Sequence, residues 1–358
     1  MPARSLFVMH LALQGCMRAR DPEYGLTTDT GGHIRYVLDQ VRALSARPDV
    51  DRVEVVTRGF RSATLGADYA VRDERIDDKS RLVRLFTRDP GYLRKEALEP
   101  EHESFLAALL AHLDTLPRLP DLLHAHYADA GLIASRLKTL LGIPFLFTAH
   151  SLGRVKREHQ RLAPEELAVL ERRIGFEETA IADADAILAS SRDERDRQLG
   201  LYRGCDPGRV HTLPPGCDGN GFAAPFCPPA IAAGLDRFLR EPGRPVVLAI
   251  ARPVRRKNLL GLVDAFGRSA ALREAANLVL VAGTRDDLST GSGEAAEELR
   301  SILVAIDRHD LYGRVAYPKQ HSPAEIPGYY AFARERGGVF VNPAFNEPYG
   351  LTLLEAAA

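Results

Sequence analysis

Residues 122–150 read LLHAHYADAGLIASRLKTLLGIPFLFTAH, two short apolar runs joined by a longer stretch with helical spacing. The runs Leu122–Ala125 and Phe145–Ala149 are typical of buried strands, whereas Leu132–Leu141 is typical of a helix. Short β-rich runs that alternate with longer helical patterns indicate parallel sheets. The stretch therefore predicts a fold of the α/β class.

The same alternation continues in both directions along the 358-residue chain. The first half adds expected strands and helices at Leu6–His10, Val53–Thr57, Leu82–Phe86, Ala186–Ala189 and Val210–Leu213 (strands) and at His33–Ala46, Glu103–Leu113 and Pro164–Ala182 (helices). The second half starts a new cycle, with strands at Val246–Ala251, Leu278–Ala282, Val315–Tyr317 and Val339–Asn342 and helices from Asn258 and Glu294. We therefore expect two Rossmann-like, doubly wound domains.

A joint between the domains is expected where turn-forming residues replace the apolar runs. The segment from Leu213 to Gly221, with the prolines that follow it, has the composition of a turn and not of a core. We place an N-terminal domain at residues 1–220 and a C-terminal domain at residues 221–358. The second half supplies strands for the order 3-2-1-4 of a 3-2-1-4-5-6 sheet, so we expect an incomplete second domain and a fragment of a longer protein.

The composition argues against several classes of protein. Acidic side chains (48) and basic side chains (47) nearly cancel, which is atypical of general nucleic-acid binding. No apolar run approaches the roughly 20 residues that span a membrane, and the start of the sequence predicts a strand and not a signal peptide. The four cysteines include no Cys-x-x-Cys pair, so we expect no zinc site, no disulfide framework and a cytoplasmic location.

The sequence Asp29-Thr-Gly-Gly-His33 precedes an amphipathic helix. Gly31 and Gly32 would let backbone N–H groups approach a ligand at the helix start, although a plain strand-to-helix turn needs the same residues. The full G-x-G-x-x-G pattern and a Walker lysine are absent from the sequence. A hydride-transfer enzyme and a P-loop ATPase are therefore unsupported.

Histidines lie near the ends of predicted strands: His10, His124, His126 and His150. Ligands of open parallel sheets bind beyond the carboxyl ends of the strands, so these side chains could converge on one cleft. His124 and His126 share a strand face, which is typical of packed core histidines. The sequence offers no His-Glu-x-x-His pattern, and we expect no metal site. His150 is followed by a glycine-bearing loop, which favours a functional role.

Two further groups of charged residues stand out. Arg252 and Lys257 follow a predicted strand and precede a helix, a position suited to a diphosphate, although a run of cations can equally be a solvated face. Glu347 and Glu355 flank a Pro-Tyr-Gly turn, where carboxylates can bind sugar hydroxyls. The isolated cations Lys95, Lys156 and Arg192 are expected on loops near strand ends, where they could bind an anionic acceptor, although each alone is also typical of an ordinary surface cation.

Together these segments resemble the sucrose-phosphate synthase branch of the retaining glycosyltransferases, which have two Rossmann domains in the GT-B arrangement. The segments that carry the resemblance are Asp29–Gly32, Ala125–Gly131, His150–Arg154 with Lys156, Ser190–Arg192, Pro214–Gly216, Arg252–Pro253, Lys257–Asn258, Arg285–Asp287 and Glu347–Glu355. The resemblance implies transfer of glucose from UDP-glucose to fructose 6-phosphate with retention of configuration. It implies no cofactor and no essential metal. The composition predicts no nucleic-acid and no membrane partner, and the oligomeric state stays open.

The resemblance also implies roles for individual residues. Arg252 and Lys257 would stabilise the departing UDP, and His150 would contact the glucose near the reacting carbon. Glu347 would hold the donor sugar and Glu355 the ribose. The remaining implied residues are Gly31 and Gly32 along the donor diphosphate and the acceptor, and Lys95, Tyr127, Lys156 and Arg192 at the fructose 6-phosphate.

Two departures from the family pattern bear on these expectations. His33 replaces the Gln that often follows the paired glycines, so the family's acceptor contact at that position is not carried over to it. The family's second domain continues beyond the helix of Glu355, so we expect weak or no activity. Four alternatives stay open: a mannosylfructose-phosphate synthase that uses GDP-mannose, a sucrose synthase that uses free fructose, a non-catalytic nucleotide-sugar-binding module, and, more distantly, a zinc hydrolase.

Overall fold

The computed structural model describes residues 5–23, 26–159, 162–216, 222, 226–283, 285, 287–289, 291, 293–345, 347 and 349–358. Contacts within the chain divide it into two compact units, Met1–Gly216 and Cys217–Ala358. The boundary expected between residues 220 and 221 lies outside the described residues. Each unit has its own sheet and its own apolar clusters.

An eight-stranded sheet forms the centre of the described part of the first unit. Its strands are β1 (Leu6–Leu11), β2 (Val50–Gly59), β3 (Asp73–Arg75), β4 (Ser80–Phe86), β5 (Leu122–His126), β6 (Phe145–Thr148), β7 (Ala186–Ala189) and β8 (Val210–Thr212). They lie in the order β3-β4-β2-β1-β5-β6-β7-β8, and all neighbours are parallel except β3 and β4. The carboxyl ends of β1, β5, β6 and β7 therefore lie side by side.

Helices cover both faces of this sheet, which makes it doubly wound. They are α1 (Gly32–Ser45), α2 (His102–Asp114), α3 (Tyr127–Leu141), α4 (Gly153–His159) and α5 (Pro164–Asp183). The apolar stripe of α1 packs in one cluster with Val53 and Val55 of β2, whereas Phe105 of α2 packs in another with Val56. Successive residues of β2 thus face opposite apolar layers, as expected for a strand buried on both sides.

Three elements of the first unit differ from the expectation. Helix α4 lies where the sequence predicted a loop, so Lys156 is on a helix. Helix α3 begins at Tyr127 and not at Leu132. Gly131 lies inside this helix, where it allows close packing against α5: a Cβ there would lie 2.5 Å from Ala180 Cβ. Strand β3 was not expected from the sequence, since its three residues are all charged and pair antiparallel at the sheet edge.

The second unit contains four parallel strands in its described residues. They are β9 (Val246–Ile250), β10 (Asn277–Val281), β11 (Val315–Ala316) and β12 (Val339–Phe340), in the order β11-β10-β9-β12. This is the expected order 3-2-1-4. The helices are α6 (Pro229–Asp236), α7 (Leu259–Arg268), α8 (Ala270–Ala275), α9 (Glu294–Arg308), α10 (Ile326–Glu335) and α11 (Leu351–Ala357).

Helices again pack on both faces of the second sheet. Val263 of α7 and Ile302 of α9 cluster with Leu280, and Ile231 of α6 clusters with Leu248 on the other face. The sequence predicted a turn at Pro229, but this proline is the first residue of α6. A proline there costs no hydrogen bond, because the first N–H of a helix has no partner within the helix. Among the described residues, no helix is long and apolar enough to cross a membrane.

Candidate functional site

Three histidines form a hydrogen-bonded row at the carboxyl edge of the first sheet. His10 lies on β1, His126 ends β5, and His150 follows β6. His10 Nδ1 lies 3.0 Å from His126 Nε2, and His126 Nδ1 lies 2.9 Å from His150 Nε2. We call His10, His126 and His150 the histidine row; it connects the interior of the sheet to the loop that precedes α4.

Burial keeps the histidine row uncharged. His10 and His126 are fully buried, and His150 is half-buried. Burial lowers the pKa of His10 to about 3. Burial and the neighbouring imidazoles hold the pKa values of His126 and His150 well below the ordinary histidine value. Each ring is therefore a neutral imidazole near pH 7, with one N–H and one lone pair.

Aromatic rings surround His150. The Tyr36 ring meets it edge-on at a centroid distance of 5.0 Å, and the Tyr127 ring lies at 4.8 Å. Tyr127 and His150 both have positive φ values, 70° and 56°. Such backbone is uncommon for residues other than glycine, costs about 1–3 kcal/mol and is concentrated at functional sites. The structure thus brings together two residues to which the family resemblance gives roles, Tyr127 at the acceptor and His150 in catalysis.

The spacing of His10, His124 and His126 bears on the metal question. One ring nitrogen from each lies within 4.8 Å of the other two, a spacing compatible with a metal ion. In the structure, however, His10 bonds His126, and His124 Nε2 lies 2.8 Å from Thr148 Oγ1. A ring nitrogen of each of the three histidines thus takes part in a hydrogen bond. The expectation of no metal site stays a prediction.

Lys95 joins the glycine motif through Asp29. Its ammonium lies 2.6 Å from Asp29 Oδ1, and its backbone N–H donates to Asp29 Oδ2 at 2.9 Å. Burial alone would raise the pKa of the Asp29 carboxyl, but Lys95 holds it below the usual range. Gly31 caps α1 in an extended conformation, and Gly32 is the first helical residue. The short segment from Asp29 to Gly32 therefore both binds the Lys95 ammonium and forms the N-terminus of α1.

The other two predicted acceptor cations lie on separate elements. Lys156 is on α4, and Arg192 is exposed just before the π-helical turn Glu194–Gln198. Buried Glu177 of α5 accepts the Gly153 N–H at 2.9 Å and the Tyr202 hydroxyl, and so holds the start of α4. The pKa of Glu177 is raised, chiefly by burial. Glu177 was not predictable from the sequence, because its role depends on packing between α4 and α5.

In the second unit, the structure pairs Lys257 with Glu347. Both follow adjacent parallel strands, β9 and β12, and the Lys257 ammonium donates to Glu347 Oε2. Asn342 Nδ2 donates to the same oxygen at 3.2 Å. Asn258, which has a φ of 54°, donates to the Pro343 carbonyl at 3.0 Å and ties the two loops together.

The electrostatics of this pair follow from its burial. The Lys257 and Glu347 side chains are only 14% and 22% exposed. Burial lowers the pKa of Lys257, and the nearby Arg256 and Arg252 lower it further, which outweighs the attraction of Glu347. Burial alone would raise the pKa of Glu347, but Lys257 holds it below the usual range. The carboxylate is thus ionised, beside a cation whose proton is less firmly held than that of an exposed lysine.

Glu355 lies one turn into α11 and is buried. Tyr330 of α10 donates a hydroxyl hydrogen bond to its carboxylate at 3.1 Å. Gly350, the residue before α11, has a φ of 87°, which favours glycine. Arg285 lies over the Tyr317 ring at 3.7 Å, whereas Asp286 of the same predicted segment lies outside the described residues.

Comparisons with known proteins agree with this architecture. Residues 31–216 match the model of the glycosyl transferase 4-like domain. The chain is 36% identical to the probable sucrose-phosphate synthase 1 of Oryza sativa subsp. indica, over 99% of this chain and 39% of that protein. The chain therefore spans about two fifths of this relative's length.

Two solved structures share the fold. A sucrose-phosphate synthase from Thermosynechococcus elongatus matches with a TM-score of 0.75 and 24% identity, over 98% of this chain and 78% of that one. HepE from Anabaena, solved with UDP and glucose, matches with a TM-score of 0.63 and 15% identity over the same shares. The expected α/β class and the GT-B type of fold are thereby confirmed.

Proposed function

The chain belongs to the glycosyl transferase 4-like family, and we propose that it transfers glucose from UDP-glucose to fructose 6-phosphate to give sucrose 6-phosphate with retention of configuration. The substrates are suggested by the 36% identity to sucrose-phosphate synthases over 99% of the chain. The donor is suggested also by the fold shared with a protein solved with UDP and glucose. The proposed enzyme is thus a hexosyltransferase.

The observation that carries the proposal is the Lys257–Glu347 pair. A mostly buried ammonium lies on the segment between β9 and α7 and is oriented by a carboxylate on the loop after β12. Breaking the bond between glucose C1 and UDP places negative charge on a phosphate oxygen. A preorganised cation at that oxygen stabilises the transition state more than the bound substrate. We assign this role to Lys257, together with Arg252.

Two carboxylates and the N-terminus of α1 supply the other proposed donor contacts. Glu347 both orients Lys257 and accepts hydrogen bonds from the donor sugar, while Glu355 accepts them from the ribose. Tyr330, which donates to Glu355 at 3.1 Å, would fix that carboxylate. Gly31 and Gly32, at the start of α1, would offer backbone N–H groups to an anion.

The acceptor contacts involve cations of the first unit. Lys95, Lys156 and Arg192 would bind the phosphate of fructose 6-phosphate, and Tyr127 would lie against the sugar. Lys95 already has an anionic partner in Asp29, so we infer that the phosphate shares this ammonium and does not displace the carboxylate. His150, within ring contact of Tyr127, would face the donor glucose near the reacting carbon.

The test is UDP release from UDP-glucose, measured with and without fructose 6-phosphate. We expect release that depends on the phosphorylated acceptor. Parallel reactions with GDP-mannose or with free fructose separate the related transferases, and release with either at a higher rate would overturn the proposed substrates. The same reactions are run with a full-length form of the protein, since the chain spans about two fifths of the length of the Oryza sativa relative. UDP binding without release in both forms would instead favour a non-catalytic binding module.

A further inference from the structure

The histidine row restricts which nitrogen of each ring carries the proton. A neutral imidazole has one N–H and one lone pair. His126 lies in the middle of the row and uses both nitrogens, one toward His10 and one toward His150. A neutral His126 must therefore donate to one neighbour and accept from the other. Burial, which lowers its pKa well below the ordinary value, disfavours the imidazolium that would donate to both.

The buried end of the row sets its direction. Within the described part of the chain, His10 Nε2 is buried without a hydrogen-bond partner. If His10 donates through Nδ1, its Nε2 carries no proton and is an acceptor without a donor. If the row ran the other way, Nε2 would be a buried N–H without an acceptor. Among backbone groups, buried N–H donors without an acceptor are rarer than acceptors without a full set of donors. We apply the same preference to the imidazole and infer that donation runs from His10 through His126 to His150.

We propose that His10 and His126 are positioning residues that fix His150 as the tautomer protonated on Nδ1. His150 Nε2 then accepts from His126, and the nitrogen that remains for a ligand is an N–H donor. The inference rests on the proposed function, in which His150 faces the donor glucose. A fixed donor hydrogen-bonds a sugar oxygen while the bond to UDP breaks, but it cannot accept the proton that the acceptor hydroxyl loses. His150 is therefore a donor to the sugar and not a general base.

The first experiment reads the tautomer directly and needs no activity. The unmodified chain is labelled with ¹⁵N-histidine and studied by NMR. Correlations between each ring nitrogen and the carbon-bound ring protons two bonds away show which nitrogen of each ring is protonated. The His150→Gln variant assigns the His150 signals. We expect protonation on Nδ1 of His150; protonation on Nε2, or charge on both nitrogens near pH 7, overturns the inference whether or not the chain transfers glucose.

Paired amide substitutions test the positioning. Asn places its amide nitrogen near the position of histidine Nδ1, and Gln near that of Nε2. His126→Gln loses the donor toward His150, so we expect mixed His150 tautomers. We expect kcat to fall by about 10–100-fold, by analogy with the loss of a partner that orients a metal-bound histidine. His126→Asn keeps that donor and is expected to restore the tautomer and most of kcat, with KM for UDP-glucose little changed.

His124→Gln is the matched control. His124 is on the same strand and equally buried, but it bonds Thr148 and lies outside the row. We expect it to leave the His150 tautomer unchanged. If the His126 variants do not fold, His10→Asn and His10→Gln repeat the comparison one step further from His150. An unchanged His150 tautomer in the folded Gln variants, or an altered tautomer with unaltered kcat, overturns the positioning role.

Discussion

Removing the Lys257 ammonium tests the electrostatic part of the mechanism. Its side chain is 14% exposed, so the charge acts where water screens it little. Loss of one preorganised donor to a developing anion costs about 10²–10³ in turnover, or about 2.7–4 kcal/mol. We therefore expect Lys257→Ala, in a full-length form of the protein, to lower kcat by about 10²–10³-fold. The change in KM for UDP-glucose should be smaller, because the interaction strengthens as the phosphate gains charge.

The same substitution also leaves Glu347 without its cation. Exposed ion pairs contribute about 0–1 kcal/mol, whereas breaking a fully buried pair costs about 3–5 kcal/mol. Because the Lys257–Glu347 pair is mostly but not fully buried, we expect the free energy of unfolding to fall by about 1–2 kcal/mol. Urea unfolding of each variant separates this loss from the loss in turnover.

The matched control is Arg256→Ala, since Arg256 is the adjacent cation and is exposed. Initial rates of UDP release at saturating UDP-glucose and fructose 6-phosphate are compared for the two variants. We expect Arg256→Ala to stay within threefold of the unmodified chain. A change below threefold for folded Lys257→Ala would remove this lysine from the mechanism.

Two further predictions concern stability. Burial alone would raise the pKa of Glu54, but His112, Arg81 and Arg52 hold it at about 2, below its ordinary value of 4.5. The ionised Glu54 therefore stabilises the folded state by about 3 kcal/mol. This stabilisation is complete above pH 4.5 and is lost as the pH falls toward 2. Urea unfolding at several pH values should show that loss, and Glu54→Gln should flatten the acid limb; an unchanged limb would contradict the assignment. Gly153→Ala should lower the free energy of unfolding by about 1–3 kcal/mol, because its Cβ would lie 2.6 Å from Ile174 Cγ1. The control Gly175→Ala, in an open helical position, should raise it by about 0.5–1 kcal/mol, and equal effects of the two alanines would contradict this account.

The sequence predicted the strands well because buried parallel strands are short apolar runs. The strand at Ala186–Ala189 was predicted to the residue. The start of α3 was missed because Gly131 resembles a loop residue, although it serves close packing against α5. Strand β3 has no apolar signal, since only its pairing with β4 makes it a strand. Tertiary contacts therefore account for both differences.

In the candidate site, too, the sequence indicated individual residues but not the contacts between them. Strand ends followed by histidines or cations are visible in a sequence, and they indicated His150, Arg252 and Lys257. Which side chains meet depends on strand order and rotamers, so the order of hydrogen bonds in the histidine row was not predictable. Neither was the ion pair between Lys95 and Asp29, which lie far apart in the sequence but 2.6 Å apart in the structure. The roles assigned to these residues stay predictions.

The most direct test of the proposed transfer is identification of its product. UDP-glucose labelled with ¹³C at glucose C1 is incubated with the chain and fructose 6-phosphate, and the labelled carbon is followed by NMR. We predict an α-glucosidic carbon in sucrose 6-phosphate, formed together with UDP. A β-linked product, free labelled glucose alone, or labelled product only when fructose lacks its phosphate would contradict the account.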